Sequence, residues 1–266
     1  MADAPVPRKK LFLILWLGGL LGVMSFLLVD LNALLTRLTL PAGTTVPPVT
    51  PLLRFLSVLQ PTVLLSIAIL VGVMLAPKVR LASPVAEAAA SRQPLGPALR
   101  PQIVPGIWGG LAGGLAIVLT AVVTTSLLPP ELNKRLAGLG DLLPITTRLL
   151  YGGIAEELLL RWGFMTLVTW VAWRLFQKGQ GQPKPACFVG AILISSVVFA
   201  MGHLPFALAL VPQAPFAFLA YVIVANSAFG LMAGYLYWKK GLESAMIAHM
   251  LAHVVLFTAH SLGSYF

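Results

Sequence analysis

An all-α fold is what this sequence predicts: a polytopic membrane helical bundle of about seven (seven to eight) transmembrane helices. Three observations lead there. Apolar side chains make up 58% of the 266 residues and charged ones only 10%, against about 25% charged in an ordinary globular chain. The apolar residues come in runs near the roughly 20 residues that a bilayer crossing needs. The 18 lysines and arginines fall mostly between those runs, where cations orient spans and meet anionic lipid. That placement accounts for the net charge of +10 and argues against nucleic acid as a partner. A single cysteine, Cys187, rules out intrachain disulfides and cysteine-based metal clusters.

In chain order, Arg8, Lys9 and Lys10 precede the first run, residues 11–29. A signal peptide has the same polarity, but its apolar core is only about 7–15 residues and a small-residue cleavage site follows. Here Asp30 and Asn32 follow, so a retained first span with a cytoplasmic N-terminus is expected. Gly18 and Gly22 form a small-xxx-small pair suited to close helix approach. Residues 40–51, rich in proline, read as a loop, and 55–76 as the second span. Residues 77–105 set Lys78, Arg80, Arg92 and Arg100 against one acid, Glu87; they read as a cytoplasmic linker. The third span is 106–128, with glycines at 109, 110, 113 and 114 giving a smooth packing face. Residues 129–144 read as an outside loop with a short helix. The fourth run, 145–176, exceeds one crossing, so a tilted, broken or extended helix is expected. The lysines of 177–185 place that turn in the cytoplasm. The fifth span is 186–210 and the sixth 216–238, with Asn226, Ser227 and a Gly230/Gly234 pair. Lys239, Lys240 and Glu243 form a cytoplasmic turn. The seventh span, 244–261, carries His249, His253 and His260, and leaves the C-terminus outside.

The fourth run holds the feature on which the rest turns. Glu156, Glu157 and Arg161 interrupt the stretch YGGIAEELLLRWGF at 151–164, in a chain with only 8 acidic residues. An ionised carboxylate at a helix centre costs at least about 2.5–3.5 kcal/mol, so these groups are expected to face a polar chamber. Arg161 follows Glu157 by four residues, which stacks the pair on one helix face. His203 lies in the fifth span; His249 and His253, also four apart, share a face of the seventh. Burying these groups separately costs several kcal/mol for each unpaired one, whereas clustering lets them satisfy one another around water. Two chemistries fit. In the first, a glutamate and a histidine deprotonate water while other histidines donate to a developing oxyanion. In the second, glutamate and histidines ligate zinc; His-x3-His suits this, although HExxH is absent. Phe199 reads as a packing side chain and Asn226 as an interhelical hydrogen bonder, with substrate contact the alternative for both. His260 reads as interfacial.

Three segments then resemble the motifs of a known family. EELLLR at 156–161, FAMGH at 199–203 and HMLAH at 249–253 are similar, in that order, to the EExxxR, FxxxH and final HxxxN-type motifs of the Abi/CAAX-protease (CPBP) family. These are intramembrane proteases that include the type II CAAX prenyl endopeptidases and their bacterial homologues. The resemblance covers roughly residues 145–260. It implies hydrolysis of a peptide bond near a substrate's C-terminus or within the bilayer. Glu156 and His203 would activate the water, and His249 and His253 would line the oxyanion site. Glu157 and Arg161 would be a supporting pair that orients the first glutamate or meets a substrate carboxylate. No metal is implied; the alternative is zinc held by Glu156, His203, His249 and His253. His253 departs from the family's usual asparagine. A neutral histidine still donates one hydrogen bond, but it also suits a metal and makes activity more pH-dependent.

The resemblance further implies membrane lipid and a protein or peptide substrate as partners, and a place in a bacterial cytoplasmic membrane. It divides one integrated domain into N-terminal helices and linker, 1–140, and a catalytic core, 141–266. A transporter or proton relay would also gather Glu, Arg and His, but no internal repeat is visible. A non-catalytic membrane scaffold is the third reading.

Overall fold

The computed structural model describes residues 6–38, 48–137 and 142–263. Most of the loop expected at 40–51, and the middle of the one expected at 129–144, lie outside the described residues. The described residues contain helices and no strands.

Helix α1 (Arg8–Met24) closes in a 3-10 turn, Ser25–Leu28. Asp30 then caps α2 (Leu31–Arg37) by accepting from the amides of Asn32 and Ala33. Thr50 caps α3 (Pro51–Val79), whose first position is a proline, the place where a missing N–H costs nothing. After α4 (Pro84–Ala90) come α5 (Leu95–Thr125) and the short, exposed α6 (Pro130–Ala137). The bundle is completed by α9 (Pro185–Leu210), α10 (Phe216–Lys239) and α11 (Leu242–Ser261). With α1, α3 and α5, these three make six helices long and apolar enough to cross a membrane.

The seventh long helix is composite. Helix α7 (Ile145–Thr147) continues through π-helical turns at Arg148–Glu156 and Leu158–Met165 into α8 (Thr166–Gln177). Arg148, Glu157 and Thr166, at the junctions, all keep right-handed helical dihedrals. Of the three forms expected for this run, a break is not seen: the helix is continuous from Ile145 to Gln177. Lys78, at the end of α3, stands 6.0 Å from the Trp170 ring. Helix α8 runs on past that level, with Leu175 and Phe176 exposed.

One expectation is corrected. Residues 77–105 are mostly helical rather than an open linker: α3 runs on to Val79, α4 fills the centre, and α5 starts at Leu95. Alanine is the best helix former, and Pro84 sits at the first position of α4, where proline is tolerated. The small-residue pair of α1 is corrected too. A side chain at Gly18 would meet nothing within 4 Å, whereas one at Gly22 would run into the Leu150 carbonyl at 2.6 Å. Close approach is therefore made by Gly22, against the π-helical turn.

The glycines of α5 let α11 lie directly on its backbone. A Cβ on Gly110 would stand 2.7 Å from the Ala248 carbonyl and from Leu251. Gly114 faces Val255 and Gly106 faces Ile247 in the same way. Gly72 of α3 lies under the Trp162 indole, whose Nε1 donates to the Ile69 carbonyl at 3.3 Å. One apolar core runs from Leu11 to Ala252, through residues of α1, α3, the composite helix, α9, α10 and α11. A second, smaller cluster joins Leu128 and Leu136 to Leu210 and Phe218. At the opposite end, Leu242 N–H bonds to the Ala82 carbonyl and Gln102 to the Lys240 carbonyl, which ties the basic turns together.

Candidate active site

The ionisable groups of three helices meet at one level of the bundle. The composite helix supplies Glu156, Glu157 and Arg161, α9 supplies His203, and α11 supplies His249 and His253. In an ideal α-helix adjacent side chains do not face the same neighbour. Within this π-helical stretch both glutamates reach the same imidazole. His249 Nδ1 lies 2.7 Å from Glu157 Oε1, and its Nε2 lies 3.8 Å from Glu156 Oε2. The first is a short charge-assisted hydrogen bond; the second is beyond hydrogen-bond length. Nδ1 therefore carries the proton that it gives to Glu157, and Nε2 is turned toward Glu156.

The two glutamates differ in surroundings. Glu157 is completely buried, whereas the Glu156 side chain keeps 20% of its surface exposed. Glu157 Oε2 stands 3.2 Å from Arg161 Nε. The alignment is that of an ion pair rather than a directed hydrogen bond, because Nε and Oε2 both lack a well-aligned partner. Arg161 is held further by the Gly230 carbonyl, 3.2 Å from Nη2, and by the Phe199 ring, 5.0 Å from the guanidinium carbon. A guanidinium over an aromatic face gains about 2 kcal/mol when desolvated. Glu157 thus has no surface to offer a substrate carboxylate. Its partners are His249 and Arg161.

Aromatic rings fix the histidines from the other side. His249 stacks on His253 with centroids 4.9 Å apart and planes 16° from parallel. It also packs against Phe229 at 4.5 Å and edge-on to Phe199 at 5.9 Å. His203 lies edge-on to Phe199 at 4.8 Å and gives its Nδ1 proton to the Phe199 carbonyl, 2.9 Å away. Its Nε2 is left free to accept. His203 and Arg148 both lie near His253. No ion pair joins Glu156 to His203 among the described residues. Asn226 bonds back to the Val222 carbonyl of its own helix at 2.8 Å, not across to another helix.

Several participants were not singled out from the sequence. Phe229 is nearly fully buried against His249. Gly152 leaves the space that the His253 ring occupies, since any Cβ there would collide with His253 Nε2. Tyr151 lies within charge range of Glu156 and packs edge-on to Phe26 at 4.5 Å. Both Tyr151 and Gly152 belong to the stretch that carries the glutamates, but a phenylalanine in a span and a glycine in a helix carry no signal of their own.

Zinc requires at least three protein ligands converging on a point. Among the described residues no three His, Cys, Asp or Glu side chains do so. His249 Nδ1 and His203 Nδ1 are engaged by Glu157 and by the Phe199 carbonyl, which fixes both rings and leaves each Nε2 facing the site.

Residues 138–255 match the family model described as type II CAAX prenyl endopeptidase Rce1-like, a span that contains every group of the site. Neither the comparison with curated proteins nor that with solved structures returned a match.

Proposed function

We propose that this chain, whose residues 138–255 match the Rce1-like type II CAAX prenyl endopeptidase family model, hydrolyses a peptide bond near the C-terminus or in the membrane segment of a protein substrate by a metal-free, glutamate-based mechanism. The observation that carries this reading is the bracketing of His249 by two adjacent glutamates of unlike environment. Glu156, the partly exposed one, is the base. It takes a proton from a water as the water oxygen attacks the scissile carbonyl carbon, with the free Nε2 of His203 as its partner in holding that water. General base catalysis of this kind contributes about 10²–10⁴-fold. His249 and His253 line the side on which the tetrahedral oxyanion develops; the donors there are a ring N–H of His253 and, when its ring is protonated at both nitrogens, Nε2–H of His249, and such hydrogen bonds lower the barrier where charge appears. As the C–N bond breaks, the proton on Glu156 passes to the leaving amine.

Glu157 is the orienting carboxylate. It holds the His249 ring at Nδ1 and is itself held by Arg161. This is the logic by which a buried carboxylate fixes an imidazole in hydrolytic triads. A cytoplasmic N-terminus is supported by Arg8, Lys9, Lys10, Lys78, Arg80, Lys178, Lys184, Lys239 and Lys240, which flank one set of helix ends.

The test is cleavage of C-terminal reporter peptides, prenylated and unprenylated, by the purified protein in lipid, with metal content measured on the same sample. Loss of cleavage in both Glu156→Ala and His203→Ala, with no bound metal and no effect of chelators, supports the reading. Stoichiometric zinc whose removal stops cleavage replaces it with a metal mechanism. Cleavage untouched by either substitution removes this site from the chemistry.

A further inference from the structure

We propose that Glu243 is a positioning residue, which sets the height of α11 in the bundle and thereby holds His249 against Glu157. The activity part of this inference rests on the proteolytic reading; the structural part does not.

The packing of α11 raises the question that Glu243 answers. The helix lies along the glycine face of α5, where Gly106, Gly110 and Gly114 offer backbone instead of side chains. Such a groove brings two helices close. Ile247, Leu251 and Val255 of α11 seat over these glycines, but on that row α5 presents no side chains of its own to stop them along the axis, since ridges seated in grooves are what fix register. The site tolerates little sliding. A hydrogen bond of 2.7 Å between His249 and Glu157 is lost within about 0.5–1 Å of displacement.

The axial anchor is at the start of α11. Glu243 Oε1 accepts from the Ser83 hydroxyl at 2.6 Å, from the Val85 amide at 3.0 Å and from the Ala86 amide at 3.1 Å. These are the first amides of α4, so the carboxylate of one helix caps another, and each bond is charge-assisted. Leu242 N–H bonds to the Ala82 carbonyl beside it. Gly241, at φ +127°, presses against Pro84, where a Cβ would come within 2.6 Å. Helix α4 in turn buries Ala86 and Ala90 in the main core. Glu243 thus pins α11 to a segment that cannot slide with it. His249 lies six residues further along the same helix, about 9 Å along a rod at 1.5 Å per residue.

The experiment uses the full chain in lipid nanodiscs, labelled with ¹⁵N-histidine. The chain has 4 histidines, and His249→Gln assigns the strongly hydrogen-bonded Nδ1–H resonance of His249. Glu243→Ala is expected to shift or abolish that resonance and to lower kcat up to about 100-fold with KM unchanged, the size that a displacement near 1 Å produces. Glu243→Gln keeps an acceptor oxygen for Ser83, Val85 and Ala86, and is expected to restore both. If Glu243→Ala does not purify, Ser83→Ala, which removes only the hydroxyl, is read in the same way at smaller amplitude. A resonance left in place by Glu243→Ala, whatever its Tm, overturns the proposal. A wild-type protein that cleaves no peptide, but whose His249 resonance follows Glu243, refutes the proteolytic reading and leaves the positioning role standing.

Discussion

His249 Nδ1 lies 2.7 Å from Glu157 Oε1, and the same glutamate lies 3.2 Å from Arg161 Nε through its other oxygen. One buried carboxylate therefore joins a histidine on α11 to an arginine on its own helix. Removing one partner of such a pair leaves an uncompensated charge in the interior. Arg161→Met is expected to destabilise the protein by about 3–5 kcal/mol, read from denaturant unfolding in detergent. A loss within the roughly 1 kcal/mol of an exposed pair would show that Glu157 does not depend on Arg161.

The two glutamates should separate stability from turnover. Glu156 is partly exposed and its nearest ionic neighbour is 3.8 Å away, so Glu156→Gln should leave Tm unchanged and lower kcat about 100-fold or more, as loss of a general base does. Glu157→Gln should lower both, because Arg161 loses its counter-charge. Equal falls in Tm for the two variants would contradict this division of roles.

Gly152 tests how closely the histidines are packed. A methyl group there would collide with His253 Nε2 and reach 3.5 Å from His249 Nε2. Gly152→Ala is expected to push His253 aside and reduce kcat by at least about tenfold. The unfolding cost should stay within the 1–3 kcal/mol of an overpacked site. Full activity in this variant would place His253 outside the reaction.

At the basic end of the bundle, stability should depend on pH through Glu87. Burial raises its carboxyl above the ordinary value of 4.5; the bond from the Ser83 amide opposes the rise, and the neighbouring Glu243 carboxylate adds to it. The folded chain then holds this proton more tightly than the unfolded one. The contribution to stability is complete below pH 4.5 and is lost as pH climbs through the raised value. Glu87→Gln should flatten that part of the curve and be the more stable form at neutral pH. Parallel unfolding curves for variant and wild type across that window would show that Glu87 is not the group responsible.

The fold class and the gathering of the ionisable groups were both legible for the same reason, the cost of polar groups in an apolar medium. Glu156, Glu157, Arg161, His203, His249 and His253 stand out because few other ionisable groups lie at membrane depth. Their pairwise contacts did not stand out. Sequence spacing relates Glu157 to Arg161, but it assigns neither glutamate to His249, because that contact joins residues 92 positions apart. The role of Glu243, read from the sequence as part of its turn, depends on a bond to Ser83 across 160 positions. The helices within 77–105 were hidden by their prolines: Pro84 sits in a first turn, which accommodates it, whereas Pro77, Pro101 and Pro105 lie inside α3 and α5.

The sequence by itself determined that the chain is a helical membrane bundle whose buried ionisable groups meet, since backbone groups in lipid must bond within each span and buried charges must find partners. Only the tertiary structure decided which partner each charge takes. That choice depends on helix register, on the π-helical turns that aim two adjacent glutamates at one imidazole, and on the close approach of α11 to the glycines of α5. These are distances between segments far apart in the chain, and no local pattern of residues encodes them.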